Sequence, residues 1–247
     1  MKKWFAGAAI FLVVYLIFAI ASMPASFVLN FVKLPNNIAL QGVSGSVWQA
    51  RVKQLQHQYG VVNDINASLS FTSLLSANPR IELSFGGALV DGPEGYATID
   101  GFLDNATLTN TQVIISAAEI APHLDLIVPV DARGYLEVNI NQYTVGQPFC
   151  QTLNGSLTWP NAEVYAVDQQ IKFGDLSAKL ACSQGAIEMK IDEGNNLGLS
   201  YSAYLQQGGR ISGNGYIKPG ANFPAPLNDA LPFLGQPDNQ GRYRLRF

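Results

Sequence analysis

Apolar and polar residues alternate with a period of two along most of this chain, and that period is incompatible with a helical body. Ile65, Ala67, Leu69 and Phe71 alternate with Asn66, Ser68 and Ser70, and Ile81, Leu83 and Phe85 with Glu82 and Ser84. Leu136, Val138 and Ile140 alternate with Glu137, Asn139 and Asn141, and Ile187, Met189 and Ile191 with Glu188, Lys190 and Asp192. Leu199 to Leu205 and Ile211 to Ile217 continue the pattern. Successive side chains of a strand point to opposite faces, so each segment is a strand with one apolar side, as in an antiparallel sheet wetted on one face. Gly86-Gly87, Asp91-Gly92-Pro93, Asp100-Gly101, Asn154-Gly155, Glu193-Gly194-Asn195 and Gly208-Gly209 read as the turns between them. The spacing predicts roughly ten to fourteen strands. Helices are few. Ser116-Ala-Ala-Glu119 reads as a capping box whose helix Pro122 cuts short, and Thr72–Leu75 and Asn228–Leu234 as single turns. Lys218–Pro237 carries five prolines and reads as a loop.

One segment departs from this pattern. After Met1-Lys2-Lys3 no charge occurs from Trp4 through Val32, and Trp4–Ala21 is densely apolar. As a helix it is about 27 Å long, enough to cross a hydrocarbon core. Pro24 marks its end, and Lys2 and Lys3 hold its start in the cytoplasm, so the rest of the chain is exported. Ala19-Ile20-Ala21 also fits a signal-peptide cleavage site. The retained anchor is preferred because apolar character continues past the run. The division expected is an anchor at 1–23 with its span at about 4–21, a juxtamembrane linker at 24–38, and a β domain at 39–247. Lys33, Arg51 and Lys53, with no acid from 33 to 57, suit a solvated face better than a lipid-binding patch.

Chemistry is sparse. Only 13% of the 247 residues are charged and the net charge is −3, which leaves no basic face for nucleic acid. Two cysteines and two histidines are too few for a metal centre, and no cofactor is expected. No nucleophile elbow, S-x-x-K or P-loop occurs; Gly42-Val-Ser-Gly45 is one residue short of the first. A triad on His123 with Asp125, or a carboxylate pair among the 18 acids, is the weaker reading beside solvated polar faces. His57 lies in a polar stretch, and Asn66, Asn105 and Asn154 head sequons that short polar turns explain equally well. The chain is read as a non-enzyme. Cys150 and Cys182, an isolated pair 32 apart in an exported domain, are expected to form a structural disulfide.

Leu40-Gln-Gly-Val-Ser-Gly-Ser-Val-Trp-Gln49, preceded by Met23-Pro-Ala-Ser26 after an apolar helix, resembles the start of the periplasmic domain of the type II secretion system protein N family. Leu231-Pro-Phe-Leu-Gly235 followed by Pro237-Asp-Asn-Gln-Gly-Arg-Tyr-Arg-Leu245 resembles that family's C-terminal signature. The Cys150/Cys182 pair falls where such proteins often carry two cysteines. The resemblance implies a single-pass inner-membrane accessory subunit, not an enzyme, with its bulk in the periplasm. It would support export of folded proteins across the outer membrane beside subunits C, L and M and the secretin. A distant similarity to AsmA-like proteins implies a curved, largely antiparallel half-barrel, with a β-sandwich as the alternative. Gly42, Gly45 and Trp48 would form a tight turn with an aromatic anchor. Core packing is the simpler account of Trp48, and a partner contact the other. The apolar side of the sheet needs cover from itself, a lipid or a partner. A rival class is a signal-peptide-bearing outer-membrane barrel, suggested by Tyr243, Leu245 and Phe247 alternating with Arg242, Arg244 and Arg246.

Overall fold

In the computed structural model, described for residues 2–29, 38–57, 60–87, 91–101, 106–123, 130–166 and 168–246, the alternating segments become a single sheet. Most of the expected linker, Asn105 and its sequon, Asp125 and Phe247 lie outside the described residues. The sheet is built from β1 (Ile38–Ser46), β2 (Gln49–His57), β3 (Gly60–Leu69), β4 (Arg80–Phe85), β5 (Glu94–Asp100) and β6 (Thr107–Ser116). It continues through β7 (Asp131–Arg133), β8 (Tyr135–Val145), β9 (Cys150–Ala166), β10 (Gln169–Ser183) and β11 (Ala186–Ile191). The last strands are β12 (Leu199–Leu205), β13 (Ile211–Ile217) and β14 (Tyr243–Arg246). Strands pair antiparallel in chain order; β7 alone leaves the path and pairs with the outer end of β9. β1 and β14 end the order without pairing with each other. The sheet is therefore open, which removes the closed-barrel alternative. Among the described residues all fourteen strands belong to one hydrogen-bonded sheet, where a sandwich has two.

Register converts the alternation into two continuous rows. On one face Phe85, Gly95, Val113, Val138, Leu157, Ala178, Ile191, Tyr201, Gly215 and Leu245 stand opposite one another in turn, across ten strands. On the other face Ser84, Tyr96, Gln112, Asn139, Ser156, Lys179, Lys190, Ser202, Asn214 and Arg246 do the same. A one-residue slip anywhere would exchange the faces, so bulges must be tolerated in step. They occur between β5 and β6, β8 and β9, and β9 and β10, with Asn110, Asn161 and Gly174 at positive φ.

The apolar row is only partly covered. Of its ten members Ala178 is buried and the other nine are half-buried. The chain exposes 16747 Å², against about 10,700 Å² for a compact monomer of this mass. The bare N-terminal helix accounts for part of the excess and the open sheet for the rest. Among the described residues a closed core forms where helix α4 (Ala117–Ile120), the 3-10 turn Ala121–His123 and β7 fold over β9 and β10. Ala117, Ala121, Ala132, Val164 and Ile171 are buried there, with Trp159 and Phe173 packed edge to face at 6.2 Å. Trp159 Nε1 donates to the Arg133 carbonyl at 2.9 Å, which ties β7 to the core.

Three local expectations change. Asn154-Gly155 is not a turn but the interior of the 17-residue β9. Gly155 is there because a Cβ would stand 2.7 Å from the Asn139 carbonyl oxygen of β8, closer than side chains tolerate. Ser116 precedes α4 in extended conformation, but its side chain makes no capping bond, so the capping box is not formed. Gly194 is not a positive-φ turn residue; Gly198, four residues on, takes that conformation at φ +56. The short helix α3 (Phe71–Leu75), the short Ala117 helix, and the proline-rich segment with a 3-10 helix at Ala225–Leu234 are as read from the sequence.

At the N-terminus, helix α1 covers Lys2–Ala21 and a short helix α2 covers Ala25–Leu29, within the segment read as linker. Among the described residues no helix is long and apolar enough to cross a membrane. The side chains at positions 2, 3, 6, 8 and 9 of α1 are outside that description.

Candidate functional site

The two sequence stretches that carry the family resemblance occupy opposite edges of the sheet, and each is a tightly bonded structural device. The first is the β1–β2 hairpin. Its two-residue turn is Val47-Trp48, since Ser46 pairs with Gln49. Gly45 precedes the turn at φ +85, and a Cβ there would collide with the Gln49 carbonyl oxygen, so only glycine fits. Gly42, placed with Gly45 by the sequence reading, lies instead in mid-strand at φ +67. The aliphatic stem of Lys53 crosses over it, and a Cβ would stand 2.8 Å from Lys53 Cδ and Cγ.

The turn is bonded to the end of α1. Val47 N–H donates to the Met23 carbonyl at 3.0 Å, Pro24 bridges to Ser46, and Trp48 Nε1 donates to the Ile20 carbonyl at 3.3 Å. The last carbonyls of a helix lack intrahelical partners, and the indole supplies one. Trp48 also packs edge to face on Phe71 of α3 at 5.4 Å, and its own carbonyl accepts from Leu69 N–H. Trp48 is half-buried and joins α1, β3 and α3. It is the hinge pin of the helix–sheet junction, a role local sequence cannot reveal because Ile20 lies 28 residues away.

The second stretch closes the other edge. Asp238 Oδ1 accepts from the backbone N–H of Gln240 at 2.9 Å and of Arg242 at 3.0 Å. Oδ2 accepts from Arg242 Nε and Nη2, both at 2.8 Å. The Arg242 guanidinium lies 4.8 Å over the Tyr216 ring of β13. Gly241 at φ +74 lets the chain turn into β14. The Asp-x-x-Gly-Arg-Tyr order is thus a clamp that turns the chain into the last strand. Hydrogen bonds from the Arg242 side chain, and then from its backbone, hold the Asp238 carboxyl down at about 2. A carboxyl whose pKa is lowered by folding stabilises the fold above its ordinary pKa of 3.8 and loses that contribution as pH falls toward 2. Asp238→Asn is therefore expected to lower the amide protection of Tyr243–Arg246 at neutral pH. Hydrogen exchange measures it, and wild type should converge on the variant as the pH approaches 2.

Cys150 and Cys182 are bonded, with Cα atoms 5.6 Å apart. The bond closes the end of the β9–β10 ladder beyond Asn154 and Ala181, and Cys150 N–H also donates to the Gly185 carbonyl. His57 ends β2 and His123 ends the 3-10 turn at the α4 core. Among the described residues no group of three His, Cys, Asp or Glu is placed to hold a metal. The depression of about 580 Å³ over β12–β14 is lined by serines, tyrosines, Asn214 and the Asp238–Arg242 clamp, with no thiol or imidazole.

Comparison with known proteins agrees with these two edges. The family described as type II secretion system (T2SS), protein N matches residues 36–246, which spans the sheet from hairpin to clamp. A type II secretion system protein N of Aeromonas hydrophila is 30% identical over the whole of this chain and 98% of its own length. Proteins of the same name from Vibrio cholerae serotype O1 and Pectobacterium carotovorum are 28% and 25% identical, over 98% and 92% of this chain and 97% and 90% of theirs. No solved structure matches. With the match running from strand β1 to strand β14, the chain belongs to the type II secretion system protein N family.

Proposed function

We propose that this chain is a non-catalytic, single-pass subunit of the bacterial inner membrane that supports type II secretion of folded proteins across the outer membrane. In this reading α1 crosses the membrane with Met1–Lys3 in the cytoplasm, and the sheet stands in the periplasm and curls into an open half-barrel. Sheets of more than about ten strands rarely stay flat. The observation that carries the reading is the family match over the sheet, joined at its first hairpin to a 20-residue helix of apolar sequence. The positive charges at Lys2 and Lys3 set the orientation. The half-buried apolar row is the surface through which subunits C, L and M, the secretin, or a lipid would be engaged. No titrating centre is needed for such a role.

The intact mass of the protein extracted from membranes tests the anchor. The expected result is a mature chain that keeps residues 1–21 and resists alkaline carbonate extraction. A mature chain beginning at Ser22 would remove the anchor and the inner-membrane reading with it.

A further inference from the structure

We infer that the end of the sheet bearing the β1–β2 turn and α3 rests on the lipid surface beside α1, with Phe71 and Leu74 seated at head-group level as a second membrane contact. The inference rests on the membrane-spanning reading of α1 and adds to it a fixed pose for the sheet. The described apolar side chains of α1 are bare of protein: Phe11 and Phe18 are 73% exposed and Ile20 is 51% exposed. Whatever covers Ile20 also reaches Trp48, because the indole is bonded to the Ile20 carbonyl. From Trp48 the apolar surface continues without a gap to Phe71, 5.4 Å away between ring centres. Phe71 is 59% exposed and Leu74, one turn along, 39%.

That exposure is built in. Ser73 Oγ donates to the Ser70 carbonyl at 2.6 Å and accepts from Arg80 N–H at 2.8 Å, and Ser70 N–H donates to the Arg80 carbonyl at 3.0 Å. These bonds hold α3 between β3 and β4 with its phenyl ring outward. Ser70, Thr72 and Ser76 put hydroxyls next to the apolar pair in the chain. Trp48, an amphipathic ring at a helix end, is of the kind that fills the interfacial belt, and Phe71 sets an apolar ring against it. A depression of about 420 Å³ beside the two rings is lined by Trp48, Phe71, Leu69, Ser70, Gln49 and Glu82. A protein partner is the poorer occupant. A stable interface buries about 800 Å² on each side, far more than two side chains on one helical turn offer. Head groups need no such area, because the neighbouring helix already holds the patch at the membrane.

The test uses the full chain in vesicles of phosphatidylethanolamine and phosphatidylglycerol. The native disulfide and the absence of free thiols leave an introduced cysteine as the single labelling site. Nitroxide labels at Phe71→Cys, Leu74→Cys, Phe11→Cys and Tyr96→Cys are compared for collisions with oxygen and with a water-soluble nickel chelate. Tyr96 lies on the polar face of β5, half exposed, and serves as the aqueous reference. The expected result is an oxygen-to-nickel ratio at Phe71 and Leu74 several-fold above that at Tyr96 and below that at Phe11. A high ratio at Phe11 with aqueous values at both Phe71 and Leu74 overturns the inference and leaves the anchor standing. Aqueous values at Phe11 as well overturn the anchor, and the inference falls with it.

Discussion

Cys150→Ser lowers the stability of the sheet by roughly 3–4 kcal/mol, the loop-closure value for a bond joining residues 32 apart. The loss is expected at the β8–β9 and β10–β11 turns first. There the first residues of β9 leave the β10 ladder at Asn154, and the disulfide and the Cys150 N–H bond to the Gly185 carbonyl tie them to the β10–β11 turn. A chemical denaturation midpoint measured with and without reductant checks the magnitude, and the reduced wild type should match the variant. Because so little of the sheet is packed on both sides, a loss of this size is a large share of the total for a domain of ordinary stability. Alkylation of both thiols in denatured, unreduced protein would contradict the bond itself.

Leu83→Asp is expected to leave the strand signal in circular dichroism intact while abolishing secretion and association with membrane partners. Leu83 lies on the apolar face of β4 between Ala67 and Ala97 and is half-buried, so in the isolated sheet a carboxylate there still reaches water. Once that face is covered by an apolar partner or acyl chains, the same carboxylate is buried without a counter-charge. The cost is roughly 3–5 kcal/mol, a hundred- to thousand-fold loss of affinity or more. Association of the wild-type chain should survive high salt, because apolar burial is not screened as exposed charge pairs are. Trp48→Asp should fail by a different route, loosening the helix–sheet junction by removing the indole bond to Ile20 and the ring contact with Phe71, while the Val47 bond to Met23 remains. The double variant His57→Ala with His123→Ala should secrete normally. A folded Leu83→Asp variant that secretes fully, or a double-histidine variant that does not, contradicts the proposed function.

The alternation made the sheet legible. Strands β3, β4, β8, β11, β12 and β13 stand where Ile65 to Leu69, Ile81 to Phe85 and their later counterparts alternate. Glycine was the source of misreading, because the residue serves two physical purposes. At Gly208 and Gly209 it supplies the positive φ of a turn, and at Gly155 it admits a neighbouring backbone in mid-strand; the letter is the same. That ambiguity hid the length of β9, and the bulges at Asn161 and Gly174 hid the length of β10. The site was half legible. The hairpin at Leu40–Gln49 and the Asp238–Arg242 stretch were visible as motifs. Their partners were not, because Ile20 and Tyr216 are distant in sequence and bring no local signal. The Cys150–Cys182 bond was readable from arithmetic alone. The incomplete cover of the apolar row was not, since a period of two says which side is apolar and nothing about what lies against it.

The strand order has a consequence for how such a domain is made. The sheet order follows the chain, passing over β7 alone where β6 pairs with β8, and β7 waits only for β9. A chain delivered N-terminus first therefore never holds a finished strand in reserve for a distant mate. Each new hairpin adds to an edge already formed, and the loops to be closed are short. The growing edge is always the newest strand, so the interval during which an unpaired edge is open to wrong partners ends each time the next strand arrives. The Asp238–Arg242 clamp then seats β14 against β13.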